Sequence, residues 1–325
     1  MLDSCFDLIR MAVYLITGGA GFIGSHIAQE LVSRGDTVRV LDDFSTGRRA
    51  NLREVEGKVA LYEANICELE ASRSAFAGVD YVIHLAALPS VARSVEDPLA
   101  TNDVNIGGTL NTLLASRDAG VRRLVFAASA AAYGDSSAPI RSESDSVRPL
   151  SPYAVTKLAG EYYCQVFARI FPLETVALRF FNIFGPRQNP ESPYTGVLSK
   201  FITAYLSGTE PVIFGDGGQS RDFTYVTNVV QAVLLACQAP AAAGQTINVG
   251  AGKSYTLNQT IERLNRIFGK QVKPRYAPPR AGDVRDSRAD LQRAREILRY
   301  EPQVSFEEGL RLTVEWYRRA IAATA

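Results

Sequence analysis

The sequence predicts an α/β protein with a doubly wound parallel sheet and a smaller, mixed α/β lobe on its C-terminal side. Three observations support this fold class: short β-branched apolar runs alternate with helical stretches, a glycine cluster follows the first run, and the composition changes after about residue 180. Alternating βαβα units cover both faces of a parallel sheet with helices. Right-handed crossovers then place ligands at the carboxyl ends of the strands.

The individual elements follow from hydrophobic periodicity. Short runs rich in Val, Ile and Leu predict strands, and apolar residues at helical spacing predict the helices between them. The predicted strands are 13–16, 37–41, 59–64, 81–85, 124–127, 175–179 and 246–249, and the predicted helices are 23–34, 71–77, 102–119, 152–171, 197–207, 228–238 and 306–320.

The change in composition also predicts the domain organisation. Residues 11–180 are expected to form the first domain, which also receives about 226–252. Gly, Pro and Asn become frequent after this point, so 181–225 and 253–325 are expected to form the smaller lobe. Residues 1–10 precede the first strand and are expected to be an N-terminal extension outside the fold.

Composition restricts the function further. The 325 residues are 46% hydrophobic, enough for a large core, and the net charge of +1 provides no basic field for nucleic acid or an anionic membrane. No apolar run reaches the roughly 18 residues that a membrane span needs. Four scattered cysteines and two histidines favour a cytoplasmic protein with free thiols and no metal site, and both histidines are expected to be packing or capping residues.

Residues 18–24, GGAGFIG, lie between the first strand and the first helix. In this context Gly18 and Gly21 let the backbone approach a pyrophosphate, and Gly24 permits close packing of helix on strand. Asp42 ends the second strand, where a carboxylate accepts hydrogen bonds from the adenosine ribose and repels a 2′-phosphate, so NAD is favoured over NADP. Nearby Arg48 and Arg49 are interpreted as a solvated charged face.

Tyr153 and Lys157 are one turn apart on the predicted helix 152–171, so their side chains share a face. A tyrosine with its ordinary pKa of about 10 is a poor base. The cationic lysine, together with the positive nicotinamide ring, is expected to lower that pKa toward the operating pH. Such pairs are common on amphipathic helices, and this one predicts redox chemistry because it follows a dinucleotide site.

Several segments together resemble one family, the extended short-chain dehydrogenases/reductases and, within them, the UDP-sugar 4-epimerases. The resemblance runs from about Met11 to the C-terminus. It rests on TGGAGFIGSH (17–26), LDDFSTG (41–47), HLAALPSVARS (84–94), SAAAYGD (129–135), SPYAVTK (151–157), LRFFNIFGPRQNP (178–190), GGQSRDFTYV (217–226) and RAGDVRDSRAD (280–290).

The resemblance implies an isomerase that holds NAD tightly in a Rossmann domain and inverts C4 of a UDP-hexose through a transient 4-keto intermediate. It implies that Ser129 hydrogen-bonds the sugar O4 and helps to pass its proton to Tyr153, with Lys157 as the third catalytic residue. Asn65 and Ile66 are expected to flank adenine. The predicted cofactor site is Gly18, Gly21, Phe22, Ile23, Gly24, Asp42, Asp43, Ser45, Gly47, Asn65, Ile66, Leu85, Ala86, Ala87, Asn105, Tyr153, Lys157 and Phe180.

The resemblance also implies a nucleotide-sugar site in the smaller lobe. Arg221 and Arg280 resemble the family's pyrophosphate-binding arginines, whose planar, charged fork suits phosphate oxygens. Asp283 is expected to hold the uridine ribose and Phe214 to neighbour uracil. The full predicted substrate site is Ser90, Ser129, Asn182, Leu198, Phe214, Arg221, Arg280, Asp283 and Ser287.

The resemblance leaves the sugar open. Ser287 lies at the family's gatekeeping position, where a small side chain leaves volume for an N-acetyl group, so UDP-glucose, UDP-N-acetylglucosamine or both are the expected substrates. A UDP-glucuronate epimerase or decarboxylase is an alternative because both reactions begin with C4 oxidation. A 4,6-dehydratase is less favoured, since residues 130–132 are alanines where dehydratases carry an acid pair. The resemblance further implies a homodimer joined through helices 102–119 and 152–171.

Overall fold

A computed structural model describes residues 11–135, 138–189, 196–279 and 284–322. The predicted extension, residues 1–10, lies outside the described residues. The strands within them are β1 (Val13–Thr17), β2 (Thr37–Leu41), β3 (Val59–Tyr62), β4 (Tyr81–His84), β5 (Arg123–Ser129), β6 (Glu174–Phe180), β7 (Ile183–Phe184), β8 (Val212–Phe214), β9 (Ser220–Arg221), β10 (Thr224–Tyr225), β11 (Thr246–Val249), β12 (Tyr255–Thr256) and β13 (Arg275–Ala277).

The helices alternate with these strands. In the described residues they are α1 (Phe22–Ser33), α2 (Leu69–Ser72), α3 (Val91–Glu96), α4 (Pro98–Asn102), α5 (Gly108–Asp118), α6 (Pro152–Ile170), α7 (Val197–Ser207), α8 (Val226–Gln238), α9 (Leu257–Phe268) and α10 (Phe306–Ala322). A π-helical turn, Asp103–Gly107, joins α4 to α5, so the predicted helix 102–119 is the later part of a longer, three-part element. None of these helices is long and apolar enough to cross a membrane.

Seven strands form one sheet in the order β11-β6-β5-β4-β1-β2-β3, and every pair in it is parallel. This topology confirms the predicted doubly wound sheet. β3 ends at Tyr62 rather than at residue 64, because its partner β2 ends at Leu41. β5 extends to Ser129, beyond the predicted residue 127, because it pairs with β6 along its whole length.

Alternate residues of each central strand face opposite sides of the sheet, as strand geometry requires. Ile16 of β1 packs in a buried cluster with α1 and α8, whereas its neighbour Leu15 packs in a second cluster with α5 and α6. The helices therefore cover both faces. β11 lies beside β6, so residues 246–249 belong to this sheet; the exact domain boundaries stay a prediction.

The smaller lobe has its own core. α7, α9 and α10 pack around a group of aromatic residues that includes Phe184, Phe223 and Phe306. The sequence analysis did not predict α9, although its start carries a clear signal. Thr256 and Gln259 form a capping box there, and Gly269 ends the helix at φ +62°.

At the amino end of the sheet, a buried arginine joins β5, β6 and α8. The Arg123 side chain is 1% exposed, and its Nε donates to Glu174 at 2.8 Å. Its Nη1 donates to three carbonyl oxygens at the C-terminus of α8, those of Ala236, Cys237 and Ala239, at 2.8–3.0 Å. Arg123 thus satisfies carbonyls that a helix end leaves unpaired.

Candidate active site

The residues that follow β1, β2 and β4, and the ends of β5 and β6, lie together at the carboxyl edge of the sheet. Thr17 is in register with Leu41 on one side and with His84 on the other, so the residues that follow these three strands lie next to one another. Ser129 at the end of β5 is in register with Phe180 at the end of β6. Parallel strands with this strand order place ligands at this edge.

The glycine turn after β1 is shaped by close backbone contacts. Gly18 has φ +70°, and a Cβ there would come within 2.8 Å of the Ala86 nitrogen. A Cβ on Gly24 would clash with the Gly18 carbonyl oxygen. α1 begins after Gly21 without a side-chain cap, so its first N–H groups are available to an anion.

Asp42 braces this turn from the end of β2. Its carboxylate accepts hydrogen bonds from the backbone N–H groups of Ala20 and Phe44, both at 2.9 Å. Burial raises the pKa of the carboxyl, and the two backbone donors oppose that rise. A Cβ on Gly47 would lie 2.6 Å from the same carboxylate, so this turn needs glycine.

The loops after β2 and β3 hold further predicted cofactor residues. Exposed Asp43 accepts hydrogen bonds from the N–H of Ser45 at 2.9 Å and from its hydroxyl at 2.6 Å. Asn65 accepts from the Cys67 N–H at 2.8 Å, and Ile66 is buried against Gly108. Arg49 pairs with Glu63 and lies over the Phe44 ring, which agrees with a surface role for this arginine.

Asn105 is engaged by the protein itself. It is 2% exposed, accepts from the Leu88 N–H at 2.8 Å and donates to the Thr156 hydroxyl at 3.0 Å. Its side chain therefore ties the loop after β4 to α6, next to Lys157. Its predicted contact with the cofactor stays a prediction.

His84 bridges two hydroxyl groups under the same edge. Its ring nitrogens lie 2.7 Å from the Thr17 hydroxyl and 3.0 Å from the Thr109 hydroxyl, and the side chain is 1% exposed. Burial and, to a smaller extent, Lys157 lower its pKa to about 3, so the ring is neutral. This is the packing role that the sequence predicts.

The geometry of α6 positions Tyr153 and Lys157. Ser151 caps the helix by accepting from the Ala154 N–H at 3.2 Å, and Pro152 occupies its first turn. Tyr153 therefore lies at the helix start, where Ser129 is close enough to lower the pKa of its phenol. Ser129 also accepts from the Ala131 N–H at 3.2 Å, which holds the serine hydroxyl at the strand end.

The direction of the Tyr153 pKa differs from the sequence-based expectation. In the protein without cofactor, burial raises the pKa of the phenol, and Ser129 only partly opposes this. Sequence reasoning considered the nearby lysine but had no measure of burial. A lowered pKa therefore stays a prediction for the enzyme loaded with NAD⁺, whose positive ring adds the missing charge.

Lys157 follows Tyr153 by one turn of α6; it is 4% exposed, and its ammonium donates to the Ala127 carbonyl oxygen at 2.9 Å. Burial lowers its pKa to about 8, against the opposing attraction of Cys164 and Glu161. The ammonium is held close to the strand that ends in Ser129. Tyr153 and Lys157 thus share α6, and Ser129 ends the strand to which Lys157 is bound; the catalytic roles of the three residues stay predictions.

Three predicted substrate residues meet in the smaller lobe. Ser220 donates its N–H to the Arg285 carbonyl at 3.0 Å and its hydroxyl to Asp286 at 2.6 Å, which brings Arg221 beside the segment that carries Ser287. Phe214 ends β8, and its carbonyl accepts a hydrogen bond from Gln219. Arg280 and Asp283 lie outside the described residues.

The other predicted substrate residues are placed differently. Asn182 is exposed, and its carbonyl accepts from the Thr224 N–H at 3.1 Å. Ser90 caps α3 by accepting from the Arg93 N–H at 3.0 Å. Leu198 is 2% exposed in the core of the smaller lobe, so only its backbone is left to contact a ligand.

Asp222 is a residue that the sequence analysis missed. It is fully buried and accepts hydrogen bonds from three backbone N–H groups, those of Ala251, Gly252 and Ala289, at 2.7–3.0 Å. It fixes the segment after Ser287 against the strand that carries Arg221. The available signal was an acidic residue directly after Arg221.

The described residues fit NAD. The glycine turn admits a close backbone approach, α1 offers uncapped N–H groups, and a carboxylate lies at the end of β2. No group of three or more His, Cys, Asp or Glu in the described part of the chain is placed to hold a metal ion.

Comparison with known proteins agrees with this geometry. The family model described as the NAD dependent epimerase/dehydratase family matches residues 14–250. The chain belongs to this family. Within it the chain groups with the UDP-sugar epimerases, so it is an enzyme of the isomerase class with NAD as its cofactor.

Individual relatives match over almost the whole chain. A UDP-glucose 4-epimerase of Mycolicibacterium smegmatis is 40% identical over 94% of this chain and 98% of its own length. The structure of a Thermotoga maritima UDP-glucose 4-epimerase with UDP-glucose superposes with a TM-score of 0.91 at 40% identity, covering 95% of this chain and 99% of that one. A Methanobrevibacter ruminantium UDP-N-acetylglucosamine 4-epimerase, in complex with UDP-N-acetylmuramic acid, has a TM-score of 0.91 at 36% identity, covering 96% and 100%.

Proposed function

We propose that the chain is a 4-epimerase of UDP-hexoses that interconverts UDP-glucose with UDP-galactose, UDP-N-acetylglucosamine with UDP-N-acetylgalactosamine, or both pairs. The observation that carries this proposal is the placement of three side chains at the edge where the glycine turn lies. Ser129 is close enough to Tyr153 to lower its pKa, and the buried Lys157 ammonium is held by the Ala127 carbonyl oxygen of the strand that ends in Ser129. The family membership and the UDP-sugars named for its relatives support the substrate class.

In this proposal the protein moves a proton at the sugar O4. Ser129 bonds O4, and Tyr153 takes its proton as general base and returns it after the sugar has turned over. The Lys157 ammonium favours the phenolate form of Tyr153. NAD, when bound, supplies the reversible oxidation at C4.

Two features support a hexose substrate. Ala130 and Ala131 follow Ser129, so the acid pair expected of a 4,6-dehydratase is absent there. Ser287 is partly exposed and small, which leaves space for an N-acetyl group. Arg221 has the charge and fork geometry to bind the diphosphate, and we expect Arg280 and Asp283 to complete the nucleotide site.

The substrate is tested by incubating the enzyme with UDP-glucose, UDP-N-acetylglucosamine or UDP-glucuronate and identifying the products by NMR. The proposal expects C4 epimers of the first, the second or both. Product from UDP-glucuronate alone would replace the hexose with a uronic acid. No epimer from any of the three would refute the proposed function.

The mechanism is tested with Tyr153→Phe. Loss of the phenol removes the general base, and we expect kcat to fall by about 10²–10⁴-fold. Tyr162→Phe is the matched control, because this tyrosine is 52% exposed on the same helix. Unchanged turnover of Tyr153→Phe would contradict the mechanism.

We also propose that the enzyme is a homodimer. Large apolar side chains are exposed along α6 and on the adjoining α3 and α4: Val95 (66%), Leu99 (76%), Val155 (49%), Tyr162 (52%), Val166 (46%) and Ile170 (62%). α3 and α4 pack on α6, so these side chains form one surface. A second copy of the same surface would cover it around a twofold axis, as isologous interfaces do.

Sedimentation of the purified protein tests the dimer. We expect wild-type protein to sediment as a dimer and Val166→Glu as a monomer, because the new carboxylate would be buried unpaired. Tyr276→Glu is the control, since Tyr276 is 53% exposed on β13, away from this surface. A monomeric wild type would rule out the dimer.

We further propose a cytoplasmic location. The cysteines that the structure describes, Cys67, Cys164 and Cys237, are all free thiols, which suits a reducing compartment. Fractionation of the source cells tests this, and recovery of the protein outside the cytoplasmic fraction would refute it.

A further inference from the structure

A buried ion pair lies one helical turn beyond Lys157. Glu161 on α6 is fully buried, and Arg179 on β6 is 5% exposed. The guanidinium donates to both carboxylate oxygens, with Nε–Oε1 at 2.9 Å and Nη2–Oε2 at 2.8 Å. A buried pair of this kind is weak evidence for stability, since apolar residues of similar volume often stabilise a fold as well. Its position therefore calls for another explanation.

The surroundings of the pair hold Arg179 in place. The guanidinium carbon lies 4.6 Å from the centre of the Tyr133 ring. The Tyr133 hydroxyl in turn donates to Asn248 of β11 at 2.6 Å. Arg179 is thus fixed between α6, the turn after β5 and the edge strand of the sheet.

The other titratable groups around Lys157 and the pair are uncharged near neutral pH. On α6, burial raises the pKa of the Cys164 thiol, and it raises that of Tyr153. Burial raises the pKa of Tyr133 to about 12 and lowers that of His84 on β4 to about 3. Glu161 is therefore the charged group that acts on Lys157, and Arg179 acts on Glu161.

The positive charge of Lys157 depends on a nearby carboxylate. A fully desolvated ammonium loses its proton easily: burial lowers the pKa of Lys157, Glu161 counteracts this, and the pKa that results is about 8. If Glu161 stood alone, its carboxylate would neutralise the lysine and cancel its effect on Tyr153. The bidentate hydrogen bond to Arg179 occupies both carboxylate oxygens, so Glu161 interacts with Arg179 as well as with Lys157.

We propose that Glu161 and Arg179 are positioning residues for the Tyr153–Lys157 pair: Glu161 keeps the buried ammonium charged, and Arg179 keeps Glu161 from pairing with it. This inference rests on the proposed acid–base function of Tyr153 and Lys157. It adds that the pH above which activity is lost is set by an ion pair between α6 and β6, the pair Glu161–Arg179.

The first test measures the charge of Lys157 directly. The chain has only six lysines, Lys58, Lys157, Lys200, Lys253, Lys270 and Lys273, so NMR of protein with isotope-labelled lysine side chains resolves each titration. The Lys157 signal is assigned by its loss in Lys157→Met. In Glu161→Gln the carboxylate charge disappears while Arg179 stays, and we expect the Lys157 pKa to fall by about one unit.

Three further variants separate charge from structure. Arg179→Lys keeps the positive charge and is expected to leave the Lys157 pKa near its wild-type value. Glu161→Leu/Arg179→Met removes both charges, so the fall is expected to be smaller than in Glu161→Gln. Glu174→Gln is the matched control, because Glu174 also pairs with a buried arginine, Arg123, but at the opposite end of β6. It is expected to leave the Lys157 pKa unchanged.

The results decide the proposal in either direction. A folded Glu161→Gln with an unchanged Lys157 pKa overturns it, as does an equal fall in Glu174→Gln. If Glu161→Gln does not fold, the double variant carries the test, and an unchanged Lys157 pKa there overturns the proposal.

Activity measurements distinguish this inference from the proposed function. The alkaline limb of the kcat/KM profile should move to lower pH by the same amount as the Lys157 pKa. If the NMR shift occurs without movement of the activity profile, the proposed role of Lys157 in catalysis fails, while the effect of the ion pair on Lys157 stands.

Discussion

Two buried arginines lie near opposite ends of the paired strands β5 and β6, and their partners differ. At the amino end, Arg123 pairs with Glu174, whose side chain is 42% exposed, and with three carbonyls of α8. At the carboxyl end, Arg179 pairs with Glu161, whose side chain is 1% exposed. The Glu174 carboxylate remains in contact with water, whereas the Glu161 carboxylate is buried.

The difference shows where a fold tolerates costly charge. Arg123 closes a helix end, a need that every helix has, and its carboxylate remains partly solvated. Glu161 is desolvated completely beside a lysine that the proposed reaction needs charged, although such burial costs several kcal/mol per ion. The amino end of the sheet is thus predicted to govern stability and the carboxyl end to govern chemistry.

The largest effect is expected at the carboxyl end from Lys157→Met. The thioether fills similar space but carries no charge, so Tyr153 loses the cation that favours its phenolate. We expect kcat to fall by about 10²–10³-fold with little change in the free energy of unfolding, because a desolvated charge has been removed. Steady-state kinetics and urea unfolding check both statements. A fall in the free energy of unfolding with a normal kcat would show that Lys157 serves stability rather than catalysis, the opposite of the expected division.

A smaller effect is expected from Arg123→Met at the amino end, and it should lower stability rather than activity. The three α8 carbonyls lose their donor, and we expect the free energy of unfolding to drop by about 2–3 kcal/mol. Turnover at a temperature where the variant is folded should be unchanged. Chemical denaturation followed by circular dichroism gives the first value, and a variant that is stable but slow would contradict the division.

The smallest effect concerns the two histidines, whose pKa values are lowered in the fold from 6.5 to about 4 for His26 and about 3 for His84. Below about pH 6.5 the unfolded chain therefore binds more protons than the folded one, so stability falls as the pH falls. Between about pH 7 and pH 5.5 we expect a loss of about 1 kcal/mol per histidine.

Variants assign this loss to each residue. His84→Gln should keep only the share of His26, and His26→Gln only the share of His84, when unfolding is measured at both pH values. A pH dependence that survives in the double variant would place its origin in other groups. His84 extends the comparison, since a second cation beside Lys157 at the carboxyl end would oppose its charge.

The sheet and the first half of the site were accessible from the sequence because they depend on local patterns. Strand ends, a glycine turn and residues one helical turn apart can be recognised without knowing which elements touch. The lysine beneath Tyr153 follows from helix geometry alone. What the sequence could not provide is the degree of burial, which raises the pKa of Tyr153 in the protein without cofactor; the lowered pKa beside NAD⁺ stays a prediction.

Pairings between distant segments were also beyond the sequence. Glu161 and Arg179 stand on a helix and a strand that meet only in the folded chain, and each resembles an ordinary surface charge when considered alone. Asp222 gathers N–H groups from two loops that no spacing connects. α9 differs from these pairings, because the capping box at its start is a local pattern that the sequence itself contains.

The return of the chain to the sheet in β11 restricts how this enzyme can be divided. A fragment that stopped at residue 180 would lose both its edge strand and α8, which supplies the carbonyls that Arg123 binds. Asn248 in that strand also donates to the carbonyl of Arg141 and to that of Asp290, so it joins two segments that are far apart in the sequence. The substrate lobe is therefore not a detachable module. An engineer who wished to exchange it would have to replace two separate stretches of chain and keep the sheet strand between them.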